Sequence, residues 1–168
     1  NKLSLNITDN TTVAVSFKLK TYSVTLNQTK GGTAMASPDE ATATALETVT
    51  FTATPDTGWH FAGWKITGSE TSDSSANPLA LSITGNTTVE PVFTKQMVGI
   101  TAALATGSKG TIAMTTGGAA VPADGKVPYG TTVTVTVTPA NASDMVDTWT
   151  VNDEVKSRMT ADADAPLS

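Results

Sequence analysis

The sequence predicts an all-β, or nearly all-β, protein on three observations. Apolar and polar residues alternate with a period of two in one segment after another. No segment carries the i, i+3, i+4, i+7 apolar stripe that a core-facing helix needs. Turn-forming pairs punctuate the alternating runs, at Asp9-Asn10, Gly31-Gly32, Thr57-Gly58, Gly85-Asn86, Gly117-Gly118 and Asp124-Gly125. Composition agrees. Threonine supplies 33 of the 168 residues, while charged residues reach only 15%, well under the usual quarter or so. β-Branched threonine fits a pleated surface and keeps the outer face of a strand wet without charge.

Taken in order, Leu3, Leu5 and Ile7 form one alternating run and Val13, Val15 and Phe17 a second. With the Asp9-Asn10 turn between them, residues 1–20 read as a hairpin. Tyr22, Val24 and Leu26 make the next strand, followed by the Gly31-Gly32 turn and a second strand. Residues 38–46, an Ala/Thr stretch opened by Ser37 and Pro38, read as an irregular crossover with at most a turn or two of helix. Thr48–Thr54 is a strand that places Val49, Phe51 and Ala53 on one face. A tryptophan-bearing strand then runs through Trp59 and Trp64, and Leu79, Leu81 and Ile83 alternate again. Further on, Val133, Val135 and Val137 interleave with Thr134, Thr136 and Thr138.

An internal repeat organises these pieces. Leu3 to Val13 recurs as Leu79 to Val89, an offset of 76, and Phe17 returns as Phe93. Thr48 to Pro55 recurs as Thr132 to Pro139, an offset of 84, so the later copy holds about eight extra residues in its early loops. Lys30 to Met35 resembles Lys109 to Met114. Trp64 follows Pro55 by nine residues and Trp149 follows Pro139 by ten. Several strands matching in a fixed order divide the chain in three. Residues 1–20 are the closing hairpin of a preceding repeat, or donated strands. Residues 21–95 are a complete module. Residues 96–168 are a divergent, incomplete module with a polar tail from Ala161, and its core should be thinner because the paired aromatics of Trp59 to Trp64 have no match there.

The motifs resemble the divergent internalin-B-type B-repeat family, related to the Listeria–Bacteroides repeats. The resemblance rests on Tyr22 and Val24, the Gly31-Gly32-Thr33 turn, and Thr48, Val49, Phe51, Ala53 and Pro55. It continues through Gly58, Trp59, Phe61, Gly63 and Trp64, then Asn86, Thr87, Thr88, Val89 and Phe93. It implies small β-grasp-like or β-sandwich-like modules in tandem on exported bacterial proteins, serving as stalks, spacers or adhesive segments. It also implies that Phe61 and Trp64 lie in a core.

Charge and composition exclude several function classes. A net charge of −5 and a pI near 4.6 leave no basic footprint for nucleic acid or an anionic membrane surface. No apolar run approaches the ~18 residues of a membrane-spanning helix. With no cysteine and one histidine, thiol chemistry, disulfides and structural zinc fall away, and no cofactor or metal is expected. Serine has no nucleophile-elbow setting, and no glycine-rich phosphate loop occurs. The chain opens at Asn1 and is expected to be a processed protein or a piece of a longer one.

The remaining candidates are few. His60 lies between Trp59 and Phe61 on one strand and is expected to face solvent opposite them. Trp59 is the expected exposed aromatic, a possible platform for glycan. Asp144, Asp147, Asp153, Glu154, Asp162 and Asp164 follow no calcium-loop spacing and read as solvated charge. Sequons at Asn6, Asn10, Asn27, Asn86 and Asn141 are what a threonine-rich composition produces. Leu3, Leu5, Ile7, Val13, Val15 and Phe17 form a candidate strand-exchange segment.

The expectation is a non-enzymatic structural segment at the bacterial cell surface: a stalk, spacer or adhesin region whose partners are neighbouring repeats or identical subunits. The alternatives are a subunit of an extracellular filament assembled head to tail by β-strand complementation, and a carbohydrate-binding module. The sequence names no host or glycan ligand.

Overall fold

The alternating sequence folds into short strands because a half-buried period-two segment can satisfy its backbone only by pairing. The computed structural model describes residues 2–68 and 71–158. The chain is all-β, and no helix occurs among the described residues. In order the strands are β1 (Thr21–Leu26), β2 (Gly32–Ser37), β3 (Thr42–Thr44), β4 (Thr48–Pro55), β5 (Trp59–Gly68), β6 (Ser72–Ser74), β7 (Leu79–Ser82) and β8 (Thr87–Lys95). They continue with β9 (Met97–Gly99), β10 (Gly110–Thr116), β11 (Ala119–Ala120), β12 (Lys126–Pro128), β13 (Thr134–Pro139), β14 (Thr148–Val151) and β15 (Glu154–Arg158). Two compact units result, Asn1–Thr94 and Lys95–Ser168.

In the first unit a five-stranded sheet, ordered β3-β1-β8-β5-β6, shares its core with a three-stranded sheet, ordered β2-β4-β7. The first and last strands of the module are neighbours and run parallel, with Val24, Thr25 and Leu26 opposite Thr87, Thr88 and Val89. Alternation sends Val24, Val49, Phe51, Ala53, Val89 and Phe93 into one cluster with Trp64, Ile66, Leu79 and Ile83. Trp64 meets Phe51 with ring centroids 6.0 Å apart and Phe61 in an edge contact at 5.3 Å, and Phe61 meets Phe93 at 6.1 Å. The buried indole N–H of Trp64 donates to the Ala76 carbonyl at 2.9 Å, so the largest core side chain leaves no orphaned donor.

Two side-chain amides extend the β2–β4 ladder on both flanks. Ala34 and Ala53 face each other across it. The backbone N–H of Ala34 donates to Gln28 Oε1 at 2.9 Å, and Gln28 Nε2 donates back to the Ala34 carbonyl at 2.8 Å. Asn77 does the same for Ala53, accepting at 2.9 Å and donating at 2.8 Å. Each amide stands where another strand would be, with one donor and one acceptor matching one residue's backbone.

Two sequence expectations change here. Residues 38–46 are not an irregular crossover throughout: Thr42–Thr44 pairs antiparallel with β1, because Ala43 alternates inward opposite Tyr22 and is buried. The loop that follows turns at Leu46, with φ of 69°, and Glu47 fastens it by accepting from the Thr44 N–H at 2.8 Å. Residues 2–20 form no hairpin; they hold no strand and are exposed throughout. Alternation marks a segment able to pair, and pairing also needs an edge to receive it. A bend forms one residue early, at Thr8-Asp9, with Asn10 N–H donating to Asp9 Oδ1 at 2.6 Å.

The second unit repeats the pairing pattern of the first. β9 pairs with β12 as β1 pairs with β3, placing Val98 opposite Val127 where Tyr22 stands opposite Ala43. β10 pairs with β13 as β2 pairs with β4, with Gly110 opposite Pro139 where Gly32 stands opposite Pro55. A Cβ on either glycine would strike a backbone carbonyl, of Thr54 or Thr138. The structural match therefore aligns Gly110 with Gly32, one residue away from the match suggested by Lys109 to Met114. The β14–β15 hairpin turns through Asn152 and Asp153, both at positive φ, and sets Trp149 opposite Ser157 much as Trp64 faces Ser74. This core is thin. Val127 is its only fully buried hydrophobic residue among the described ones, and Val133, Val135, Val137 and Trp149 stay half-buried. The predicted polar tail from Ala161 lies outside the described residues.

Replacing Asn77 by alanine strands the backbone N–H and carbonyl of Ala53, and is expected to cost roughly 1–3 kcal/mol. Asn77→Asp keeps the acceptor and loses the donor, so urea denaturation of the two variants should rank them below wild type, with the alanine variant no more stable than the aspartate at pH 5.

Candidate functional site

The aromatic candidate sits where two turns meet. After Pro55 the chain reverses through Asp56 to Gly58, with Trp59 N–H donating to the Asp56 carbonyl at 3.0 Å and Asp56 N–H to the Gly31 carbonyl at 2.9 Å. This docks the start of β5 on the Gly31-Gly32 turn. Gly31 is buried at φ of 107°, and a Cβ there would run into the indole of Trp59. Glycine is needed twice over, for the left-handed backbone and for the close approach. Trp59 is thus half-buried and packed against the core rather than an exposed ring. The sequence argument missed this because the Gly31 turn, its partner, lies across a sheet. His60 is exposed on the opposite face from half-buried Trp59 and Phe61.

Along the β5–β6 edge lies a shallow, open depression of about 410 Å³, where Lys65 and Asp73 face each other in register near Gly63 and Val92. It encloses no convergent set of polar groups. Among the described residues no three of His, Cys, Asp and Glu stand close enough together to hold a metal ion.

The strand-exchange candidates Leu3, Leu5, Ile7, Val13, Val15 and Phe17 are all exposed, Phe17 at 92%. Six large apolar side chains on one short segment without cover are unusual for a soluble surface. In the first unit Val24–Leu26 pair with β8, whereas their counterparts Ile100, Thr101 and Ala102 belong to no strand.

The module's geometry (a glycine turn under a tryptophan, a proline-ended strand and a closing strand that carries Val89 and Phe93 inward) coincides with a family match. The family described as "Divergent InlB B-repeat domain" matches residues 22–97. This module is a divergent InlB B-repeat. The match spans β1 to the start of β9, so it covers the strands that build the two-sheet core. B-repeats of this family are associated with bacterial surface proteins, and the chain carries such a repeat region. No curated protein and no solved structure matches the chain.

Gly31→Ala in the B-repeat is expected to displace the Trp59 ring and strain the turn, lowering stability by about 1–3 kcal/mol. Tryptophan emission should shift to the red as the indole gains water, measured against unchanged emission in a Gly107→Ala control, where a Cβ meets nothing within 4 Å.

Proposed function

We propose that the chain is a non-enzymatic stalk or spacer segment of an extracellular bacterial surface protein, built from B-repeat modules. The observation that carries this reading is the parallel pairing of β1 with β8. The chain enters the module at the start of β1 and leaves it at the end of β8. In a parallel pair these points lie at opposite ends of the sheet. Tension applied through the two ends shears the β1–β8 ladder, loading its hydrogen bonds together instead of unzipping them one at a time. The threonine-rich outer faces keep such a segment hydrated at low charge density.

The carbohydrate-binding reading gains no support from Trp59, since Gly31 covers one face of the ring. A filament assembled head to tail by β-strand complementation is favoured by one observation, the exposed apolar segment of residues 3–17.

Pulling single chains from their termini tests the stalk reading. The B-repeat should give one distinct force peak releasing about 250 Å of contour for residues 21–95, and the thin second unit should yield at lower force. Extension without a resolvable peak from the B-repeat would sink a load-bearing role.

A further inference from the structure

The three-stranded sheet of the B-repeat ends on β2, which pairs with β4 along one side and faces outward along the other. Such an edge is a template for another chain unless something blunts it, most often a lysine, a proline, a bulge or extreme shortness. β2 has none of these. Gly32–Ser37 holds no charged residue and no proline, and all six residues stay in register with β4. Alternation leaves Thr33, Met35 and Ser37 exposed on the outer face, Met35 at 66%. What the edge has instead is Gln28. Its amide takes both main-chain groups of Ala34, at the middle of the free side, accepting from the N–H at 2.9 Å and donating to the carbonyl at 2.8 Å. Gln28 comes from the loop between β1 and β2 and is itself exposed, so it covers the edge from the solvent side.

The second unit covers the same edge by other means. β10 is the counterpart of β2, and Ile112 is the counterpart of Ala34. The position of Gln28 is taken there by Thr106, which has no amide. The side of β10 away from β13 carries β11 instead, with Thr115 opposite Ala120 and Thr116 opposite Ala119. The Val121 N–H extends that ladder by donating to the Met114 carbonyl at 3.0 Å. β11 lies in an insertion. Gly32 matches Gly110 at an offset of 78, and Ala43 matches Val127 at an offset of 84, so six additional residues fall between them. The repeat with the insertion covers this edge with a strand, and the repeat without it covers the edge with a side chain. Two solutions at one place mark it as the edge that needs cover.

We propose that Gln28 is an edge guard, and that the surface it withholds is a strand-pairing site whose occupant is β2 of a second copy of the chain. The pairing is antiparallel about Ala34. Ala34 stands opposite its own equivalent, and each N–H meets the other's carbonyl in the two places now held by the Gln28 amide. Thr33 then faces Met35 of the second copy, and Gly32 faces Ala36. Every side chain at this junction is uncharged, so the two-fold contact brings no like charges together. The contact is isologous and closes on a pair of copies. While Gln28 is in place, an incoming strand must displace two satisfied hydrogen bonds and gains only their equivalents, so the edge stays unused.

Gln28→Ala in the full-length chain should raise self-association over wild type by about tenfold or more, measured by light scattering across a concentration series. Asn77→Ala is the matched control. It removes the same pair of hydrogen bonds from Ala53, but β7 continues along that side of β4 and leaves no room for an added strand. It should lose stability and associate no more than wild type. The chain has no cysteine, so cross-linking reads the register on a clean background. Thr33→Cys and Met35→Cys are made in separate Gln28→Ala chains, mixed and oxidised; across the antiparallel pair their Cα atoms should lie about 4.5 Å apart, within disulfide reach. A covalent dimer is expected, and none from the same two cysteines with Gln28 intact. Gln28→Ser, too short to reach Ala34, replaces the alanine variant if that one loses the fold. Association of Gln28→Ala at the wild-type level, or a disulfide formed with Gln28 intact, overturns the guard and leaves Gln28 a local stabilising contact. Equal association of Asn77→Ala overturns it too, by assigning the effect to unfolding. Association without the Thr33–Met35 cross-link overturns β2 as the occupant.

Discussion

Strand β8 closes the B-repeat, and most of the module's order is organised around that closure. From one face it delivers Val89, Pro91 and Phe93 into the core. Along one edge it carries β1 in parallel, and along the other it carries β5 with Trp64 and Ile66. A sheet edge is stable in water only while its polar groups are paired or solvated, and an apolar face only while it is covered. β8 meets both demands at once, for two strands that are far apart in sequence. The comparison with the second unit makes the dependence concrete. There the same early strand pairs form with the same partners, yet the sheet stays divided and its valines stay half-buried.

Polar groups are satisfied as economically as apolar ones are covered. Gln28 and Asn77 each give a β-strand residue both of its missing hydrogen bonds, so the three-stranded sheet keeps a satisfied backbone where its neighbouring strands have run out. Thr29 Oγ1 donates to the carbonyl of Pro91, placing a hydroxyl beside a residue that has no N–H to offer. No buried side-chain nitrogen or oxygen is left without a partner among the described residues. A small module with so little charge has few ion pairs to lean on. Its specificity comes from these local matches and from the interlocked rings of Phe51, Phe61, Trp64 and Phe93.

Among the described residues no cluster of His, Cys, Asp and Glu could hold a metal ion. The chain's distinctive features are geometric: parallel first and last strands in the B-repeat, and an exposed apolar segment at residues 3–17. The residues that build the module are ordinary valines, threonines and leucines, placed by the edge each one meets.

Much of this was legible in the residues. Period two, turn pairs and the recurrence of Leu3–Val13 as Leu79–Val89 established the all-β class, the inward face of each strand and the family resemblance, because these signals are local and depend on side-chain alternation alone. Alternation likewise placed His60 outward and Phe51 inward, while the family resemblance placed Trp64 in the core. Tertiary structure decided the rest. Trp59 is covered because Gly31 comes to lie beneath it from the turn between β1 and β2. Residues 42–44 became a strand because β1 offered an edge, whereas residues 3–17 pair with no strand and stay exposed. The one-residue shift that aligns Gly110 with Gly32 is likewise set by pairing opposite Pro139 and Pro55. A sequence states how each segment can pair. Which partner it meets is a property of three-dimensional closure, since hydrogen bonds between strands join residues whose separation along the chain leaves no periodic trace.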